Sequence, residues 1–374
     1  MRKPAAWLFA FMAASLLAAS QPKSDLAFVA NPMAEDSSFP SPKRMQVSYP
    51  VSLLSVDIRM ILDSRAPVKA TLGFTREDRP IEIYYFPGSS DKKALVIGGM
   101  HGSELSSIAI AQKLIEELSV GYKPYYHVII IPSLFPDNAA AAQKFPRDIG
   151  SSKNIGRYTS EESPDPNRQM PELGKPFDAE QPVDHHGRSI EKENQLLLDL
   201  IQQYTPSRIV NLHAIKDCSK AGVFADPRTD CNSLALGFES DSSLAITMAS
   251  YIHERGGTTP GNQLNETPTA VYHHDPHVVP AGQLQKRNLR GSLLTNARGF
   301  GVSLGSWATT AVCQENGIPT RPAMRLITIE FPGYKRPTDY PSPTEKKKMA
   351  REVALYAEAI VNIFLTNIEE EDNR

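Results

Sequence analysis

The chain reads as an α/β domain on a mixed, mostly parallel twisted sheet with helices on both faces. Short β-rich runs bounded by turn residues recur from Leu72 onward: "IEIYYF", "ALVIGG", "YHVIIIPSL", "SRIVNLHA" and "MRLITIEFP". Between them "ELSSIAIAQKLIEELS" and "EKENQLLLDLIQQY" carry apolar residues at helical spacing. The 30 prolines among 374 residues speak for many loops around a sheet rather than for a helical bundle. Strands alternating with helices imply parallel pairing with both faces covered.

In chain order, "VSLLSVDIRMIL" is a weakly apolar stretch able to form a helix packed on the domain. Strands and helices then alternate up to "PTEKKKMAREVALYAEAIVNIFL", a long amphipathic helix with Thr344 and Glu345 near its start. Its "EKKK" is a solvated first turn, and "NIEEEDNR" behind it is a frayed acidic end.

The N-terminus has a different character. Arg2 and Lys3 precede "PAAWLFAFMAASLLAAS", with Ala18 and Ser20 at the −3 and −1 positions of a cleavage site. A basic start, a short apolar run and small residues describe a secretory signal peptide, and the run falls short of the ~20 residues that span a bilayer. The reading is therefore residues 1–20 as signal peptide, 21–65 as a lead-in segment and 66–374 as the catalytic domain. The mature chain is expected in the periplasm or secreted, with no stable membrane insertion. The net charge of −2 leaves no global electrostatic case for nucleic acid. Of three cysteines, an oxidising compartment predicts one disulfide and one free thiol, and Cys218 with Cys231 would close a small loop. No CxxC pair is present, which argues against a thiolate zinc site.

In sheets of this kind working residues gather at the carboxyl ends of strands. "VIGGMHGSE" ends in His101 and Glu104, "RIVNLHA" in His213, and "LITIEFP" in Glu330. Two histidines and a carboxylate are the ligand set of a catalytic zinc that keeps a position open for water. Glu330 is then left as a carboxylate to activate that water. Gly98, Gly99 and Gly102 permit the tight turn that presents the first two ligands.

The chain resembles the zinc carboxypeptidases of the M14 type. The resemblance runs through "LGFTREDRPIEIYYF", "GGMHGSE", "DPNRQMP", "NLHA", "GVSLGSWAT" and "ITIEFP", in that order, from about residue 70 to 365. It is greatest with bacterial murein-peptide amidases and peptidoglycan carboxypeptidases. It implies one zinc ion on His101, Glu104 and His213, Glu330 as general base, and Asn167 with Arg168 gripping a substrate carboxylate. Arginine suits that grip on its own account, because its planar fork meets a carboxylate bidentately. The family's oxyanion-stabilising arginine falls on Arg157, with Arg147 as runner-up. Trp307 stands where the family's mobile tyrosine is expected, and that role stays unassigned.

Asp165 before Pro166 reads either as a residue that orients a ligand or as the start of a turn, and the turn is the preferred reading. The clusters His185–His186 and His273, His274 and His277 read as exposed loop histidines; "VYHHDPHVVPAGQL" borders the cleft on this reading. The expected protein is an exported zinc metallopeptidase acting on an amide bond near a free carboxylate in peptidoglycan stem peptides. The alternatives are a zinc-dependent deacylase of N-acyl amino acids, of the aspartoacylase and succinylglutamate-desuccinylase type, and an inactive cell-wall binding protein.

Overall fold

A seven-stranded sheet carries the functional residues at one end. The computed structural model describes residues 52–270, 298–314 and 317–367. The signal-peptide reading, His273, His274, His277 and nearly all of the acidic tail lie outside the described residues. The chain divides into Met1–Tyr49 and Pro50–Arg374, and every described residue lies in the second unit.

The strands are β1 (Val68–Phe74), β2 (Pro80–Phe86), β3 (Lys93–Ile97), β4 (His127–Ile131), β5 (Arg208–Ile215), β6 (Gly222–Ala225), β7 (Arg228–Thr229), β8 (Ala235–Leu236), β9 (Val312–Cys313), β10 (Pro319–Arg321) and β11 (Arg325–Pro332). The main sheet has the order β1-β2-β4-β3-β5-β11-β6. Its centre is parallel, with β4–β3, β3–β5 and β5–β11 running together, while β1, β2 and β6 join antiparallel. The five β-rich runs read from the sequence are β2, β3, β4, β5 and β11.

Helices cover both faces. On one side α1 (Ile58–Leu62), α4 (Lys192–Tyr204) and α6 (Leu304–Ala308) pack on Leu95, Ile97, Ile209 and Leu326. On the other, α2 (Leu105–Ser119), α5 (Phe238–Glu254) and α7 (Pro343–Ala359) pack on Val96, Val210, Leu212, Ile327 and Ile329. Helix α3 (Pro136–Gln143) lies between β4 and the loop that follows it. The final helix starts from Ser342, whose side chain accepts from Glu345 N, and its last turn widens to π geometry over Ile360–Phe364. Residues 52–65 do not trail from the domain: Ile58 and Ile61 are buried, and Leu53, Leu54, Val56 and Leu62 pack on the same core.

Period-2 alternation explains both faces at once. On β5 the odd residues and on β11 the even residues face the α1/α4/α6 side, and their neighbours face the other. One disulfide and one free thiol are present, as the cysteine count suggests, and the structure decides the pairing that the sequence left open. Cys231 bonds Cys313 across 82 residues, and Cys218 is free and exposed. The bridge joins the β7–β8 and β9–β10 hairpins, a pairing that sequence proximity could not indicate. Among the described residues no helix is long and apolar enough to cross a membrane.

Candidate metal centre

β3 ends at Ile97, and the chain must reverse at once to start α2. Gly99 does so with φ of +64°, a conformation that favours glycine. At Gly102 a Cβ would lie 2.3 Å from Ala139 N, so only a residue without a side chain lets this loop lie against α3. His101 and Glu104 are thereby fixed at the end of the sheet, with Glu104 N donating to His101 O at 3.0 Å. Glu104 occupies the N-cap of α2, yet its side chain makes no capping bond. It points instead at the histidines.

His101 Nδ1 lies 2.9 Å from Glu104 Oε1, and His213 Nδ1 lies 3.2 Å from Glu104 Oε2. One ligand atom from each residue falls within 4.8 Å of the others, the one such cluster among the described residues. The opposite ring nitrogens are held from behind. His101 Nε2 donates to Asp165 Oδ1 at 2.7 Å, and His213 Nε2 lies 3.3 Å from the Asn167 side-chain nitrogen. Metal-binding histidines need this anchorage, since the second nitrogen sets ring orientation and basicity. With three buried N and O donors and no thiolate, the residues fit a zinc ion.

The electrostatics suit a cation. Burial works against the Glu104 carboxylate, but His101 and His213 hold it well below the usual carboxylate range. Asp165 is lowered in the same way by His101 and Arg157, against its burial. Burial and Arg157 oppose protonation of His101, and Asp165 and Glu104 outweigh them, so His101 is raised. For His213 burial prevails, and its value is lowered.

Arg157 bonds Glu104 Oε1 at 3.0 Å through Nη1 and Asp165 Oδ2 at 2.9 Å through Nη2. Arg147 is exposed and does not line the cavity. Asn167 and Arg168 do line it, and Arg168 Nη1 donates to Asn167 O at 2.7 Å. Glu330 is half-buried on β11 directly beside His213, its register partner on β5. Arg157, Asn167, Arg168 and Glu330 line one cavity of about 250 Å³ together with His101, Glu104 and His213.

Sequence reasoning weighs Asp165 as a ligand-orienting residue but prefers the turn, and it misses Tyr334. Asp165 starts the turn as read, accepting from Asn167 N at 2.9 Å, and in addition holds His101. The spacing Asp-Pro-Asn-Arg was the available signal. Tyr334 lines the cavity four residues after Glu330, its phenol pushed up to about 12 by burial and Glu104, with Arg157 opposing. No local pattern announces it. Trp307 is fully buried, bonds Lys175 O through Nε1 and stacks under Arg321, which makes it a packing residue. His185 and His186 face each other at 5.0 Å, away from the metal cluster, and His185 borders a separate pocket beside the disulfide.

Residues 65–219 match the Peptidase M14 family model, described as zinc carboxypeptidase. That stretch contains His101, Glu104, Arg157, Asp165, Asn167, Arg168 and His213. No curated protein sequence matches the chain. Solved structures it is similar to include bovine thrombin-activatable fibrinolysis inhibitor in complex with tick carboxypeptidase inhibitor, at 13% identity and TM-score 0.44, covering 82% of this chain and 94% of that one. Carboxypeptidase A from Helicoverpa armigera is similar at 12% identity and TM-score 0.45, covering 80% and 67%. An aspartoacylase family protein from Mesorhizobium loti is similar at 13% identity and TM-score 0.40, covering 85% and 72%.

Proposed function

We propose that the protein is an exported zinc metallopeptidase that hydrolyses an amide bond next to a free carboxylate, with peptidoglycan stem peptides as its substrates. The observation that carries this is the rung formed by His213 and Glu330. His213 of the candidate metal cluster and the Glu330 carboxylate, which lies outside that cluster, stand side by side over one cavity, with Arg168 on its wall. The family match over residues 65–219 supports the same chemistry.

Zinc at this centre supplies a Lewis acid that polarises the scissile carbonyl and lowers the pKa of water. Glu330 takes a proton from the attacking water as the C–O bond forms, then passes it to the leaving nitrogen as the C–N bond breaks. Arg168 and Asn167 hold the substrate carboxylate and so set which bond reaches Glu330. Arg157 brings positive charge to the cavity wall, where an oxyanion develops. Burial and Glu104 raise the Tyr334 phenol, which favours its protonated, hydrogen-bond-donating form beside the cavity.

The test is digestion of purified muropeptides by the mature protein, with and without a chelator, beside Glu330→Gln. Release of one defined product, stopped by chelation and lowered at least about a thousandfold by the substitution, is the expected result. A zinc-loaded protein that leaves every muropeptide intact but cleaves N-acyl amino acids moves the assignment to the deacylases.

A further inference from the structure

Asn167 and Arg168 sit on a piece of chain that has no strand or long helix of its own to fix it. They belong to a single 3-10 turn, Pro166–Arg168, and both line the cavity. A recognition arginine selects by its place as much as by its charge, since a displacement of about 1 Å can cost on the order of a hundredfold in rate. Whatever holds this turn therefore sets where a substrate carboxylate stops relative to His213 and Glu330.

The hold comes from the start of α4. Gln169, directly after Arg168, is fully buried. Its Oε1 accepts from Glu191 N at 2.9 Å and from Asn194 Nδ2 at 3.2 Å. Its Nε2 donates to Glu191 Oε2 at 2.7 Å and to Pro164 O at 3.3 Å. Both lone pairs and both amide hydrogens are thus engaged. Asn194 Nδ2 also donates to Pro166 O at 2.8 Å, so the turn is gripped just before Asn167 and just after Arg168. Neither helix residue is placed for the good of its own helix. Glu191 occupies the N-cap of α4, where a short capping side chain is favoured, and makes no capping bond. Glu191 Oε1 and Asn194 Oδ1 are buried and have no hydrogen-bond partner among the described residues. Buried acceptors left so cost stability, and local rules broken in this way mark functional constraint. Arg188 Nη2 donates to Arg168 O at 2.9 Å, a separate hold that remains when the first is cut.

We propose that Gln169, Glu191 and Asn194 are positioning residues that fix Asn167 and Arg168 where a bound carboxylate brings its neighbouring amide to the His213–Glu330 rung. None of the three lines the cavity, so they act through the turn and not on the substrate. The Gln169 carboxamide has one usable orientation, because turned around its oxygen would face Glu191 Oε2 and its nitrogen Glu191 N. A carboxylate at residue 191 makes the bond to Gln169 charge-assisted, and the positive end of α4 offsets the buried charge. This rests on the hydrolase reading above and adds to it the residues that set the reach of the carboxylate grip.

The experiment offers zinc-loaded protein a synthetic stem-type tetrapeptide as the free acid and with its carboxylates amidated, and reads kcat/KM for each. Wild type is expected to favour the acid by at least about a hundredfold. Gln169→Leu and Glu191→Leu lower that ratio at least about tenfold, chiefly through KM of the acid, with zinc content unchanged. Glu191→Gln keeps an oxygen for Gln169 and recovers most of the ratio lost in Glu191→Leu. A loss that falls equally on acid and amide overturns the proposal, because weakened folding lowers both alike. So does a ratio that stays at the wild-type value. Should the leucine variants fail to fold, Asn194→Ala cuts the bond to Pro166, and calorimetry of the two peptides on Glu330→Gln with and without it reads the same ratio as binding. A wild type that cleaves neither peptide, or both alike, defeats the hydrolase reading and the proposal with it, before any variant is made.

Discussion

Asp165 does two jobs with one carboxylate: Oδ1 receives His101 Nε2 and Asn167 N, and Oδ2 receives Arg157. It thereby ties the first metal ligand to the turn that carries Asn167 and Arg168. Asp165→Asn keeps the size of the side chain and removes the charge. Zinc affinity is expected to fall by roughly 10–100-fold, the usual effect of losing such a partner. Competition against a chelating dye measures it, and an unchanged affinity would show that His101 needs no carboxylate behind it. The rest of the site rewards the same close view. Residue types at strand ends were legible, so His101, Glu104, His213 and Glu330 could be named from short motifs. Asn211 could not, because an asparagine two residues before a ligand has no signature until its register partner is known.

At the level of elements, α4 carries a strained charge. Glu193 in its first turn is buried, and its carboxyl is pushed up to about 6 by that burial, with Glu191 and Asp137 adding to the effect and its own backbone contact and Arg76 opposing. The native state therefore holds a proton that the unfolded chain has already lost between the ordinary carboxylate value of 4.5 and about 6. Stability falls as pH rises through that window, by on the order of 1–2 kcal/mol from this group. Glu193→Gln is expected to match wild type near pH 4.5 and to melt higher at pH 7.5. Thermal denaturation at the two values decides it; a lower melting temperature at pH 7.5 would mean that the charge at the helix start outweighs its burial.

The whole molecule is held at the substrate end by contacts between distant segments. The Cys231–Cys313 bridge closes 82 residues. It secures hairpins that also meet through Thr229 N to Thr309 O and Ala311 N to Thr229 O. Those segments continue directly into Asp226 on one side and α6 with Gly305 on the other. A double Cys231→Ser, Cys313→Ser variant is expected to lose on the order of 2–4 kcal/mol. Its melting temperature falls by roughly 3–5 °C at this size. Calorimetry in the presence and absence of a thiol reductant checks this: wild type should drop to the variant's value when reduced, and the variant should not move.

The sequence by itself determined the strand–helix alternation, the parallel centre and the strand ends that carry the candidate metal ligands. Each depends on local periodicity and on the rule that strand ends face one edge. Tertiary structure alone decided the Asp165–His101 contact, the double engagement of Arg157, the entry of Tyr334 into the cavity and the Cys231–Cys313 pairing. It also showed that Asn211 and Asp226 share a cavity. Local pattern records which face of its own strand or helix a side chain takes. Which side chain it meets across that face depends on register and on how far the chain travels before returning, 64 residues in the case of His101 and Asp165.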